Sequence, residues 1–107
     1  MLNKFSNINT FMEMSNSYEE SEVVVFGVGF DGTTSNRPGT RFASSSMRIE
    51  FYGLETYSPK LNLDLEDYKI CDIGDLELSI GNTDLVLDEI YEGTRNIVKD
   101  NKIPFMI

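Results

Sequence analysis

The chain has 107 residues, carries a net charge of −9 from 18 acidic and 9 basic residues, and contains no histidine. A chain of this length buries roughly two-thirds of its extended surface, enough for a single core. The missing histidine removes the commonest general base and the commonest metal ligand. The acidic balance argues against nucleic acid as a partner, because phosphates demand lysine and arginine.

No apolar run approaches a membrane span, so no membrane partner is expected. Residues 1–22 lack the apolar stretch and small-residue cleavage site of a signal peptide. A cytoplasmic location is therefore expected. The one cysteine, Cys71, cannot form an internal disulfide and reads as a buried, inert thiol. Charge is uneven along the chain. Residues 55–92 hold eleven acids against Lys60 and Lys69, whereas residues 23–54 set Arg37, Arg41 and Arg48 against Asp31 and Glu50. The acidic surface suits a cationic ligand, or is simply a solvated face.

Residues 1–21 are polar and without period. They read as an N-terminal extension that packs through Phe5, Phe11 and Met12. Glu22 to Phe30 is the first strong element. Val23, Val24, Val25, Phe26 and Val28 form a nearly unbroken apolar run, which predicts a central strand of a parallel sheet covered on both faces. The following DGTTSNRPGTRFA is a long loop with a turn signal at Pro38-Gly39. A helix is predicted from about Ser44 to Leu54, with Met47, Phe51 and Leu54 on one face. Thr56 to Asp67 reads as loop. Tyr68 to Ile73 is a second strand, ending at Gly74-Asp75. Asn82 or Thr83 caps a second helix that ends near Asn101. Val86, Ile90 and Ile97 share its stripe, and Gly93 on that stripe lets a neighbour come close. Its acids lie in the first half and its bases in the second, an arrangement worth a few tenths of a kcal/mol per charge. Ile103 to Ile107 begins a third strand, with Pro104 tolerable only at a start or an edge. The pattern is β-α-β-α-β, an α/β class with a mainly parallel sheet. The open faces and edge of such a pattern lead us to expect residues 1–107 to be the incomplete first part of a larger single domain.

Three constellations carry possible chemistry. Gly27-Val28-Gly29-Phe30-Asp31-Gly32 has the glycine spacing of a dinucleotide fingerprint. That fingerprint needs a helix opening within the motif. Here TTSNRPG delays the helix, and Glu50 falls inside it rather than after a second strand, so the context opposes NAD binding. Asp72, Asp75 and Glu77 at a strand's end suit Mg²⁺ or Ca²⁺, or else a turn cap at Asp75 and an amide anchor at Asp72. Arg37, Arg41 and Arg48 suit an anion, or carboxylate pairs that order the long loop, with Arg37 or Arg41 as an internal brace. The loop leaves the C-terminal end of a central strand, where α/β active sites sit. We therefore assign Phe30, Asp31, Thr33 and Arg37 to an active-site rim. No Ser–His nucleophile exists in this chain, since histidine is absent.

VVVFGVGFDGTTSNRPGTRFA, with Met47-Arg48, YGLETYSP and CDIGDLEL, resembles the ureohydrolase (arginase/agmatinase) family. LETYSP and DIGDLEL sharpen the likeness toward bacterial agmatinases. It runs from about Glu22 to Ile107. Gly29 and Ser44 depart from it, standing where the family usually has proline. The resemblance implies a three-layer arginase-like fold whose mainly parallel sheet places the first strand between the second and third. It implies a binuclear Mn²⁺ site that activates a water, with agmatine hydrolysed to putrescine and urea. It also implies a homo-oligomer. The family's ligand motifs of histidine and aspartate are absent here, so no metal, cofactor-binding or catalytic residue is assigned, and the 107-residue chain is expected to be inactive alone. Two alternatives stand beside this reading. One is a stand-alone truncated product acting only as an oligomerising or interaction fragment. The other is a ureohydrolase of a different guanidino or formimino substrate.

Overall fold

A computed structural model describes residues 5–6 and 10–107. Its main sheet has four strands: β1 (Phe5–Ser6), β2 (Val23–Gly27), β5 (Ile70–Leu76) and β6 (Ile103–Met106). Their spatial order is β1-β5-β2-β6. β2 runs parallel to both β5 and β6, and β1 is antiparallel to β5. The first strong strand thus lies between the second and third, as the resemblance implied. The helices are α1 (Ala43–Glu50) and α2 (Thr83–Lys99).

β2 is central because its side chains have no polar face to show water. Val24, Val25 and Phe26 are each at most 3% exposed. Val24, Phe26, Cys71 and Ile97 form the core, with Phe5, Tyr18, Val28 and Ile73 packed against it. Ile97 comes from α2, so that helix covers this face. Val86 and Gly93 are buried on the same stripe. A Cβ on Gly93 would sit 3.2 Å from a Leu76 methyl, which is the close approach expected there. Asn82 is the N-cap, its side-chain oxygen accepting from the Leu85 N–H at 3.1 Å.

Four elements depart from the expectations. The N-terminal segment packs through Phe5 and through Phe11, whose ring stands edge-on to Phe51 at 5.6 Å. It also adds backbone to the sheet as β1, too short a strand to leave a period in the sequence. The first helix ends at Glu50, and Leu54 lies beyond it, half exposed. Its buried residues are Ser44 and Arg48 rather than an apolar stripe. The segment read as loop from Thr56 to Asp67 contains a small hairpin of β3 (Tyr57–Ser58) and β4 (Leu63–Asp64). Asp64 shapes its exit by accepting from the Glu66 N–H and the Thr56 hydroxyl, and these bonds hold its carboxyl below the usual value. Finally, β5 runs on to Leu76, through the Gly74-Asp75 pair expected to end it.

Candidate active-site rim

The C-terminal ends of the parallel strands meet the long loop that joins β2 to α1. Val28 N–H donates to the Ile107 carbonyl at 2.9 Å, so the loop leaves beside the end of β6. It then folds back on itself. Arg41 reaches Asp31 with its backbone N–H and with Nη1, each at 3.4 Å. The Thr40 hydroxyl donates to the Phe30 carbonyl at 3.5 Å. The Arg41 guanidinium also stacks 4.6 Å above the Phe42 ring. Arg41 is therefore the brace of the loop, one of the two candidates proposed from the sequence. Arg37 is exposed and makes no hydrogen bond or ion pair among the described residues. Thr33 is likewise exposed. Of the four residues expected at a rim, Phe30 and Asp31 shape the loop, while Thr33 and Arg37 present free groups to solvent.

The glycines of the apparent fingerprint serve close packing. None of Gly27, Gly29 and Gly32 is among the residues with positive φ. A Cβ on Gly27 would overlap the Asp75 carboxylate and crowd Ser44, and one on Gly29 would press on the Arg41 carbonyl at 2.9 Å. Glycine's freedom to take positive φ is not what these positions use.

Behind the loop lies a buried ionic cluster in which the carboxylate pairing offered for Arg48 and the amide anchor offered for Asp72 both occur, although sequence reasoning did not join them. Arg48 donates from Nε and Nη2 to both oxygens of Asp72, at 2.7 and 2.9 Å, and from Nη1 to Asp75. Asp72 also accepts from the Phe11 N–H at 2.6 Å and from the Gly74 N–H at 2.9 Å. Residues three apart on a regular strand point to opposite faces. The register against β2 slips between Val25 and Gly27, where Asp72 and Asp75 are their respective partners. This bulge contains Gly74 at φ 87°. It turns both carboxylates toward α1. Burial works against the Arg48 charge, but hydrogen bonds to Asp72 and Asp75 outweigh it and hold the guanidinium above its usual pKa. Glycine inside an apolar strand was the signal available in the sequence.

The same cluster answers the metal reading. Asp72 spends both oxygens on Arg48 and on amides, and Asp75 spends Oδ1 on Arg48, so the pair does not fit a divalent cation, and Asp75 caps no turn among the described residues. Among the described residues, no three His, Cys, Asp or Glu side chains converge as a metal would need. The residues here therefore do not fit the binuclear Mn²⁺ centre that the family resemblance implied. A polar cleft of about 490 Å³ lined by Glu13, Asn16, Glu55, Thr56 and Tyr68 opens beside Ile70, at the far end of β5, and includes no rim residue. No helix among the described residues is long and apolar enough to cross a membrane.

Residues 21–107, which include the rim loop and the Arg48 cluster, match the Arginase family. The chain belongs to that family. It is 43% identical over 94 residues to an agmatinase of Bacillus anthracis, covering 88% of this chain and 32% of that protein. The crystal structure of a candidate agmatinase from Clostridium difficile is 74% identical with a TM-score of 0.81, over 84% of this chain and 33% of that one. The agmatine ureohydrolase of Thermoplasma volcanium is 33% identical with a TM-score of 0.84, over 98% of this chain and 36% of that one. This arginase-family chain thus spans about a third of the length of the relatives it matches. The arginase-like α/β fold with a mainly parallel sheet is as expected from the sequence.

Proposed function

We propose that this chain forms the rim of an agmatine ureohydrolase active site, in a reaction that takes agmatine and water to putrescine and urea. The supporting observation is the similarity to agmatinases across a stretch that contains the braced loop at the strand ends. Thr33 and Arg37 are the groups that face substrate, and Phe30 with the Arg41-held Asp31 sets the shape of the opening. The Asp31 carboxylate is engaged by Arg41, so its role is structural support and not proton transfer. A net charge of −9 favours the approach of a cationic guanidino substrate.

The binuclear Mn²⁺ of the family reading is held by residues outside this chain, and residues 1–107 are inactive alone. The working protein is a cytoplasmic homo-oligomer in this reading. The test is urea release. Purified 1–107 with Mn²⁺ and agmatine gives none above background, and release from that sample would overturn the inactivity. A chain in which residues 1–107 replace the matched third of the Bacillus anthracis agmatinase releases urea from agmatine. Activity of that chimera on guanidinobutyrate but not on agmatine would replace the substrate and keep the reaction.

A further inference from the structure

α2 buries one stripe and leaves a second one open. Val86, Gly93 and Ile97 are buried against the core. About 80–140° further round the helix lie Leu87, Tyr91, Thr94 and Val98. They follow one another at spacings of four, three and four residues, the repeat of a helix–helix seam. Leu87 is 54% exposed, Tyr91 62% and Val98 54%. Thr94 is half-buried, and its hydroxyl already donates to the Ile90 carbonyl at 2.8 Å, so it needs no polar partner across a seam. The charges beside this seam are divided by sign. Asp88 follows Leu87 and Arg95 follows Thr94, so both flank the seam on the same side. The other flank carries Ile90 and Ile97, on the side of the core. Asp88 makes no hydrogen bond or ion pair among the described residues. Arg95 meets only Glu92 of its own helix, at 3.7 Å, with both side chains about half exposed.

We propose that this seam of α2 is a contact between two copies of the chain, packed antiparallel about a two-fold axis. Leu87 then packs against Val98 of the second copy and Tyr91 against Thr94, and each contact occurs twice. Asp88 of each copy comes to lie beside Arg95 of the other. The division of sign along α2 thus makes the surface complementary to itself, which is what selects a second copy as the occupant. A parallel pairing fails the same criterion, because it sets the half with Asp84, Asp88 and Glu92 against its own like. The net charge of −9 opposes any self-association at low salt. At physiological salt that long-range repulsion is screened, while pairs held in a contact are screened much less. The inference rests on the homo-oligomer of the proposed function and on no part of its chemistry, so dimer formation and urea release can fail separately.

The test is sedimentation velocity of 1–107 at pH 7.5 and about 0.15 M salt, where the Debye length is about 8 Å. A dimer is expected, and Tyr91→Ala weakens it about tenfold or more. Asp88→Arg sets arginine against Arg95, and Arg95→Asp sets aspartate against Asp88, so each of these variants alone is monomeric. An equimolar mixture of the two forms a heterodimer, because one copy then carries both bases and the other both acids. The double variant keeps the net charge of −9 and dimerises as the wild type does. Both positions are exposed, and circular dichroism of each variant shows that α2 is retained. Phe105→Lys, on the β6 edge, leaves the dimer in place. A monomeric wild type overturns the proposal. So does a dimer that survives Asp88→Arg or Arg95→Asp, a mixture of those two that stays monomeric, or a dimer that Phe105→Lys abolishes.

Discussion

Arg48 is 5% exposed and joins three parts of the chain: α1, the bulge of β5 and, through Asp72, the amide of Phe11. Removing the guanidinium leaves the Asp72 carboxylate buried without its charge partner. Arg48→Met is expected to cost about 3–5 kcal/mol, read from urea unfolding midpoints. Arg48→Lys should recover only part of this loss, because an ammonium cannot bond both Asp72 oxygens and Asp75 in the same fork. Ser44 runs the other way. Its hydroxyl is buried and makes no hydrogen bond among the described residues. Ser44→Ala removes an unsatisfied group and is expected to be neutral or to stabilise by about 1 kcal/mol in the same measurement. A clear destabilisation would show that the hydroxyl has a bonding partner. Neither role was legible from residue types alone. Arg48 read as an anion ligand or as a carboxylate partner, and Asp72 with Asp75 as a metal pair or as an amide anchor and a turn cap. Only the bulge at Gly74 brings the three together, and a bulge is a property of strand pairing that spacing in one segment does not reveal.

Elements with one dominant cause were the readable ones. β2 is an apolar run, and α2 has a capping Asn82 and a 3.6-residue stripe, so each was visible in its own segment. α1 was misread because its inward face is polar. An apolar period was sought at Met47, Phe51 and Leu54, while the face that packs carries Ser44 and Arg48. The β3–β4 hairpin was missed because its residues are largely exposed, and side chains such as Leu61 and Leu63 give no alternation of inside and outside. Its organisation depends on an ionised Asp64, and this gives it a pH dependence. The folded carboxyl lies below its ordinary value of 3.8, held there by the Glu66 N–H and the Thr56 hydroxyl. A depressed carboxylate contributes stability that is complete above the unfolded pKa and is lost as pH falls through the folded one. The hairpin should therefore loosen below about pH 4, within the acid range of an aspartate. Between pH 7 and pH 3, wild type should lose more stability than Asp64→Asn, with the gap followed by thermal unfolding. Equal losses in the two proteins would dismiss the role of this carboxylate.

At the scale of the whole molecule, charge and exposed apolar surface oppose each other. Ile103, Phe105 and Met106 on the β6 edge, and Leu87, Tyr91 and Val98 on the outer side of α2, are each about half exposed or more. Such surface drives association, and an open edge strand supplies a template for it. The counterweight is the net charge of −9, which keeps copies apart at neutral pH and low salt. Titration removes it, since the sequence pI is about 4.3. Light scattering from 1–107 should therefore stay low at pH 7.5 and rise steeply as pH approaches 4.3. Salt at pH 7.5 should act in the same direction by screening the repulsion, with a Debye length of about 10 Å at 0.1 M. Asp64 keeps its charge to lower pH than an ordinary aspartate, so a variant that leaves the hairpin alone separates the two effects. Phe105→Lys places a charge on the exposed face of β6 and lowers the net negative charge at once. If repulsion alone governed association, that substitution would make scattering worse at pH 7.5. If the apolar edge drives it, scattering near the isoelectric point falls. The second result is the expected one, because the exposed side chains and open backbone groups of β6 coincide on one edge, whereas the acidic residues are spread along the chain from Glu13 to Asp100.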